Sequence, residues 1–119
     1  ITLITSQRVD SGNERSVCIL FQTENCDILI TGDRGMEGEQ ELMDRLELPK
    51  LEVLIAGHHG SKNATGQPLL DATQPQVVVI SAGKNNAYGH PAQELLLRLE
   101  GMGCTVFRTD LDGTVIIRR

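Results

Sequence analysis

The run Val77-Val78-Val79-Ile80 is the feature that most limits what this chain can fold into. Four consecutive β-branched side chains lose rotamer freedom in a helix and suit the pleated surface of a strand. Neither alternating face carries a polar residue, so the strand has to be covered on both sides, as in the sheet of an α/β protein. Two further aliphatic segments, Ile28-Leu29-Ile30 and Val53-Leu54-Ile55, have the same character. Helical spacing lies between and after them. Leu42, Met43 and Leu46 fall on one side of residues 38–46, and Pro49 marks the exit. Residues 68–73 form a short helix with Pro68 in its first turn. Over residues 91–101, Leu95, Leu96, Leu99 and Met102 share a side, and Gly101 and Gly103 stop the helix. Strands and helices therefore alternate in the second half, and the predicted class is α/β.

Antiparallel pairs are expected at both ends. Residues 1–5 read as a short strand and 7–15 as a polar loop, with residues 16–22 and 27–31 joined as a hairpin through Thr23-Glu24-Asn25-Cys26. A second hairpin is predicted from residues 105–108 and 114–117 around Asp110-Leu111-Asp112-Gly113. The sheet should thus be mixed. The longer helices carry single apolar stripes, which suits packing on one face of it.

At 119 residues the chain is one domain or part of one. It opens on Ile1 inside an apolar segment and reads as a piece of a longer protein. No apolar run is long enough to span a bilayer, and no signal-peptide pattern is present. A net charge of −5 argues against a general nucleic-acid-binding surface, leaving Lys62, Lys84 and Arg108 as candidates for a local basic cluster. With only Phe21, Phe107 and Tyr88 as aromatics, extended stacking platforms for single strands are not expected. Cys18, Cys26 and Cys104 lack CxxC spacing and read as free structural thiols.

Chemistry concentrates at the strand exits. The strand at 27–31 leads into Gly32-Asp33, and the strand at 51–55 leads into Ala56-Gly57-His58-His59-Gly60-Ser61-Lys62. A carboxylate and an imidazole brought together by two strand ends are the mixed oxygen and nitrogen donors that zinc or manganese takes. If strand geometry persisted, His58 and His59 would point to opposite sides, so that one of the two ligates a given ion. Asp33 and His58 are the candidate metal ligands. His59 and His90 are the candidates for proton transfer or substrate orientation. Ser61 and Lys62 follow the histidines directly, and Lys84 and Asn85 lie in the loop after the strand at 77–80. These four are the candidate contacts to an anionic substrate.

Thr-Gly-Asp (31–33), His-His-Gly-Ser-Lys (58–62), Ser-Ala-Gly-Lys-Asn-Asn-Ala-Tyr-Gly-His-Pro (81–91) and Arg-Thr-Asp-Leu-Asp-Gly (108–113) occur in one order. That series resembles the metallo-β-lactamase-like domain of the ComEC family of DNA internalisation competence proteins. Ser-Gly-Asn-Glu-Arg-Ser (11–16) is similar to the segment that opens the second half of that domain. The resemblance spans nearly the whole chain. It implies half of an αββα sandwich, with residues 1–119 as a partial, carboxy-terminal half-domain. By the same resemblance Asp33 matches a metal-bridging aspartate, His58-His59 the later histidine motif, and His90 the Gly-His-Pro motif at the mouth of the site. The family's first metal motif, a His-x-Asp-x-Asp-His cluster, is absent from this sequence. The isolated chain should therefore hold an incomplete site that binds a divalent metal weakly or not at all.

The activity implied is that of a metal-dependent phosphodiesterase processing DNA during transformation. The parent would be a bacterial membrane protein with this domain on the non-cytoplasmic side. Its implied partners are DNA, the missing amino-terminal half-domain, the membrane channel of the same chain and, for the isolated piece, a second copy in a homodimer. Two rivals remain: a non-catalytic scaffold of the channel, and a hydrolase of the same fold acting on a small ester or phosphoester.

Overall fold

The computed structural model describes residues 1–5 and 12–118, so part of the expected 7–15 loop and the start of the 11–16 segment lie outside the described residues. Its strands are β1 Thr2–Ile4, β2 Cys18–Gln22, β3 Asp27–Ile30, β4 Val53–Ile55, β5 Val77–Ile80 and β6 Thr105–Arg108. They form one mixed sheet whose spatial order equals the chain order. β1, β2 and β3 pair antiparallel, whereas β3, β4, β5 and β6 run parallel. The helices are α1 Met36–Arg45, α2 Gln67–Thr73, α3 Gln93–Met102 and a short α4, Thr109–Asp112. The class is α/β, as the strand and helix patterns predict. Among the described residues no helix is long and apolar enough to cross a membrane.

Parallel neighbours need a crossover, and α1, α2 and α3 each supply one. Successive crossovers advance in one direction across the sheet, so the right-handed rule puts all three helices on the same face. The strand register bears this out. The row Leu20, Leu29, Leu54 and Val78 joins Leu42, Leu69, Leu70, Leu95 and Leu99 in one buried core. The opposite face is also apolar. One row there runs Leu3, Ile19, Ile30, Ile55, Val79 and Phe107; another runs Phe21, Ile28, Val53 and Val77. Leu3 is 67% exposed, and Phe21 and Phe107 stand at 39% and 40%.

The second hairpin does not form. Residues 114–117 are not a strand, and the presumed turn is the helical turn α4. Local bonds account for this. Arg108 grips Asp110 with Nε and Nη2 donating to its two carboxylate oxygens at 3.1 and 2.7 Å. The Arg108 amide donates to Asp112 Oδ2 at 2.7 Å, which closes the turn at its start. Both aspartates are thereby occupied in shaping the backbone. Helix boundaries shift as well: α1 begins at Met36, whose amide donates to Asn63 O, and α3 begins at Gln93, after Ala92 N donates to Gly60 O.

Candidate functional site

The parallel strands β3, β4 and β5 deliver their carboxyl ends to one edge of the sheet, and the site is built from the three loops that leave there. Asp33 is aimed by Gly32, at φ +62°, where an added Cβ would lie 3.1 Å from the Ser16 Cβ and 3.3 Å from the Val17 carbonyl oxygen. His58 N donates to Gly32 O at 2.8 Å and ties this turn to the histidine loop.

The histidines do not continue the strand. β4 ends at Ile55, and residues Gly57–Gly60 make a tight turn in which His58 and His59 both sit in the left-handed region, at φ 47° and 55°. Both rings consequently line the same cavity, contrary to the alternation expected of an extended chain. Two consecutive left-handed non-glycine residues hold about 1–2 kcal/mol of strain each. Gly60, at φ +87°, makes the turn possible. It packs so closely on the start of α3 that a Cβ would meet Pro91 Cβ at 2.8 Å and Ile80 Cγ2 at 2.9 Å.

The cavity measures about 410 Å³, and its walls include Asp33, His58, His59, Asn86, Tyr88 and His90. His59 Nδ1 lies 2.9 Å from Ser81 O. A carbonyl only accepts, so Nδ1 carries the proton and, in the neutral ring, Nε2 carries a lone pair. That Nε2 is 3.8 Å from Asp33 Oδ1. Two acceptors facing each other are reconciled by a proton on Nε2 or by a cation between them. The span suits an ion at about 2.0–2.2 Å from each donor. Asp33 thus pairs with His59, while His58 sits edge-on to His90 with ring centroids 5.9 Å apart. Burial, and then the neighbouring imidazoles of His58 and His59, push His90 below the ordinary histidine range.

The donor types fit zinc or manganese in kind, and the set is partial. Among the described residues no group of three His, Cys, Asp or Glu side chains is placed to hold an ion. The structure offers the Asp33–His59 pair and leaves further ligands to be supplied.

Ser61 and Lys62 border a second cavity, of about 420 Å³, that shares Tyr88 and His90 with the first. Ser61 is buried, and its Oγ accepts from Asn63 N at 3.2 Å; Lys62 is exposed. Lys84 and Asn85 are exposed on the loop and border neither cavity. Residue-type reasoning passed over Tyr88 as a site residue. Asn86 fixes the loop: Nδ2 donates to Gly83 O at 2.9 Å and to His90 O, while Oδ1 accepts from Tyr88 N at 3.1 Å and His90 N at 3.0 Å. The spacing Asn86-x-Tyr88-x-His90 was the available signal, because an Asn that bonds backbone two and four residues on builds a turn.

No family model matches the chain. It is 43% identical over 108 residues to ComE operon protein 3 of Bacillus subtilis, an alignment covering 91% of this chain and 14% of that protein. Recombination protein 2 of Haemophilus influenzae is 35% identical over 103 residues, covering 87% of this chain and 13% of the relative. Competence protein ComA of Neisseria gonorrhoeae is 32% identical over 112 residues, with 92% and 16% covered. The chain therefore spans between 13% and 16% of the length of these relatives. It is a homologue of one short segment of competence proteins.

Proposed function

We propose that this chain is the carboxy-terminal half of a metallo-β-lactamase-like domain, and that within the complete protein it forms part of a metal-dependent phosphodiesterase acting on DNA during uptake. The observation that carries the reading is the convergence of Asp33, His58, His59 and His90 on one open cavity at the carboxyl ends of parallel strands. The competence-protein homologues support the DNA context and a membrane-associated machine, on whose non-cytoplasmic side we place this domain.

A divalent ion supplies positive charge against a phosphate and makes water nucleophilic at neutral pH. Asp33 and His59 would hold it, with His58 completing the cluster toward His90. His59 is oriented for this by its bond to Ser81 O, the kind of outer-shell bond that fixes a ligating imidazole. His90 is part-buried and held below the ordinary histidine range, which suits holding or passing a proton beside the phosphate. Lys62 and the Asn63 amide lie along the second cavity, where the backbone of a longer substrate would pass. The half-domain reading is supported by the second apolar sheet face, which a further layer would cover.

The test is Asp33→Ala in the complete protein. DNA hydrolysis should be abolished and bound metal reduced. Hydrolysis at the wild-type rate with wild-type metal content would refute the assignment. A complete protein that takes up DNA and never hydrolyses it would favour the scaffold reading, for which the exposed apolar face is the specific support.

A further inference from the structure

We infer that Tyr88 is the platform on which a nucleobase of the substrate stacks, next to the phosphate in the main cavity. The inference rests on the phosphodiesterase reading and adds the element that would select the form of the nucleic acid.

Three observations converge on this ring. Tyr88 is 82% exposed, so its ring is open to a ligand arriving from solvent. The ring is not adrift: it stacks on His90 with centroids 5.7 Å apart and an interplanar angle of 28°. His90 backs one face and leaves the other free, and the Asn86 bonds to Tyr88 N, His90 N and Gly83 O fix the loop that presents it. A preformed aromatic surface loses little conformational freedom on binding, which is how rigid tyrosines serve recognition surfaces.

Position supplies the rest. Tyr88 and His90 border both cavities, with Asp33 and His59 on one side and Lys62, Asn63 and Gln93 on the other. Glu94 also borders the second cavity, so Lys62 is its cation and Glu94 its anion. A base laid on Tyr88 sets its own phosphates toward the two cavities, one to each side. A base inside a duplex presents only its edge; its face is free once it is unstacked. The platform therefore takes single-stranded or locally opened DNA. Low aromatic content rules out an extended row of such platforms, and one correctly placed ring does not need a row.

The sequence provides a direct probe, because the chain has one tyrosine and no tryptophan. Ultraviolet-excited emission comes from Tyr88, and a stacked base should quench it. Oligodeoxythymidylate, a duplex of equal length and inorganic phosphate should be titrated into the 119-residue chain, with labelled-oligonucleotide anisotropy as the second readout. The single strand should quench the emission, whereas phosphate should not and the duplex should do so weakly. Tyr88→Ala should lose about tenfold in single-strand affinity, in line with the worth of one base–aromatic stack. Tyr88→Phe should keep it. Thermal melting should be unchanged in both variants, since the ring is exposed.

Undiminished affinity in Tyr88→Ala, with Lys62→Ala still weakening binding, would overturn the platform and leave the DNA reading standing. Equal quenching by duplex and single strand would also overturn it. If no oligonucleotide binds the wild-type chain, the platform fails. If the complete protein also fails to bind or cleave DNA, the underlying reading fails with it.

Discussion

At the scale of single residues, the decisive fact is how many polar side chains are spent on holding backbone in place. Glu39 is buried in α1, and its carboxylate accepts from Thr65 N and Gly66 N at the start of α2. Negative charge at a helix start is favourable, and a bond to a charged acceptor contributes about 1.5–3 kcal/mol. Glu39→Ala should therefore lower stability by that amount in a denaturant titration; a change under about 0.5 kcal/mol would mean water replaces the carboxylate. His90 is the contrasting case. Replaced by alanine in the complete protein, it should cut turnover by about 10²–10⁴, the range of a lost proton-transfer group, and so slow turnover more than it weakens binding. Equal turnover per folded molecule would make it a structural residue. The sequence disclosed which residues converge on the cavity, since Gly32-Asp33 and His58-His59 stand directly at strand exits. It did not disclose the pairing of Asp33 with His59. That depends on two left-handed residues in a row, a conformation that packing of Gly60 against Pro91 imposes from a distant part of the chain.

Among elements, the strands were the most legible, because β-branched runs have few alternatives; five of them stand where the patterns put them, as does the short one at residues 2–4. The failure at residues 114–117 has a local cause in the Arg108–Asp110 grip, and composition gives no warning of a side chain turning back on its own strand exit. That grip has an acid signature. The hydrogen bond from Arg108 holds the Asp110 carboxyl below its usual range. The folded state thus takes up the proton less readily than the unfolded chain. The contribution is complete above the unfolded value of about 3.9 and disappears as pH falls through the lower folded value. Melting temperatures of wild type and Asp110→Asn should differ at pH 7 and converge as the pH drops below about 4; a constant gap would remove Asp110 from the account. The turn at Gly60 is the other sensitive join. Gly60→Ala should lose at least about 2 kcal/mol, adding left-handed strain to contact with Pro91, and should displace His59. Unchanged stability would show that α3 can move aside.

On the scale of the whole molecule, burial is lopsided. One sheet face is sealed by three helices, while the other presents Leu3, Phe21 and Phe107 to solvent. Apolar patches of that kind are uncommon on isolated monomers. The 119-residue chain should accordingly self-associate in sedimentation experiments as concentration rises, and Phe107→Glu should reverse this. A monomer throughout the range would count against the half-domain reading. The sheet's strand order carries a different kind of consequence, one of timing. Because β1 to β6 lie side by side in the order in which they are synthesised, every new strand finds its neighbour already in place. No strand waits for a partner encoded far downstream, and each closure spans either a loop, in the antiparallel pairs, or one crossover helix. Loop closure of that length has a small entropic penalty, and local pairing favours fast folding. The sheet can grow from a single advancing edge as the chain leaves the ribosome, and the loops that line the cavity are added strand by strand, in the order aspartate, histidine pair, tyrosine.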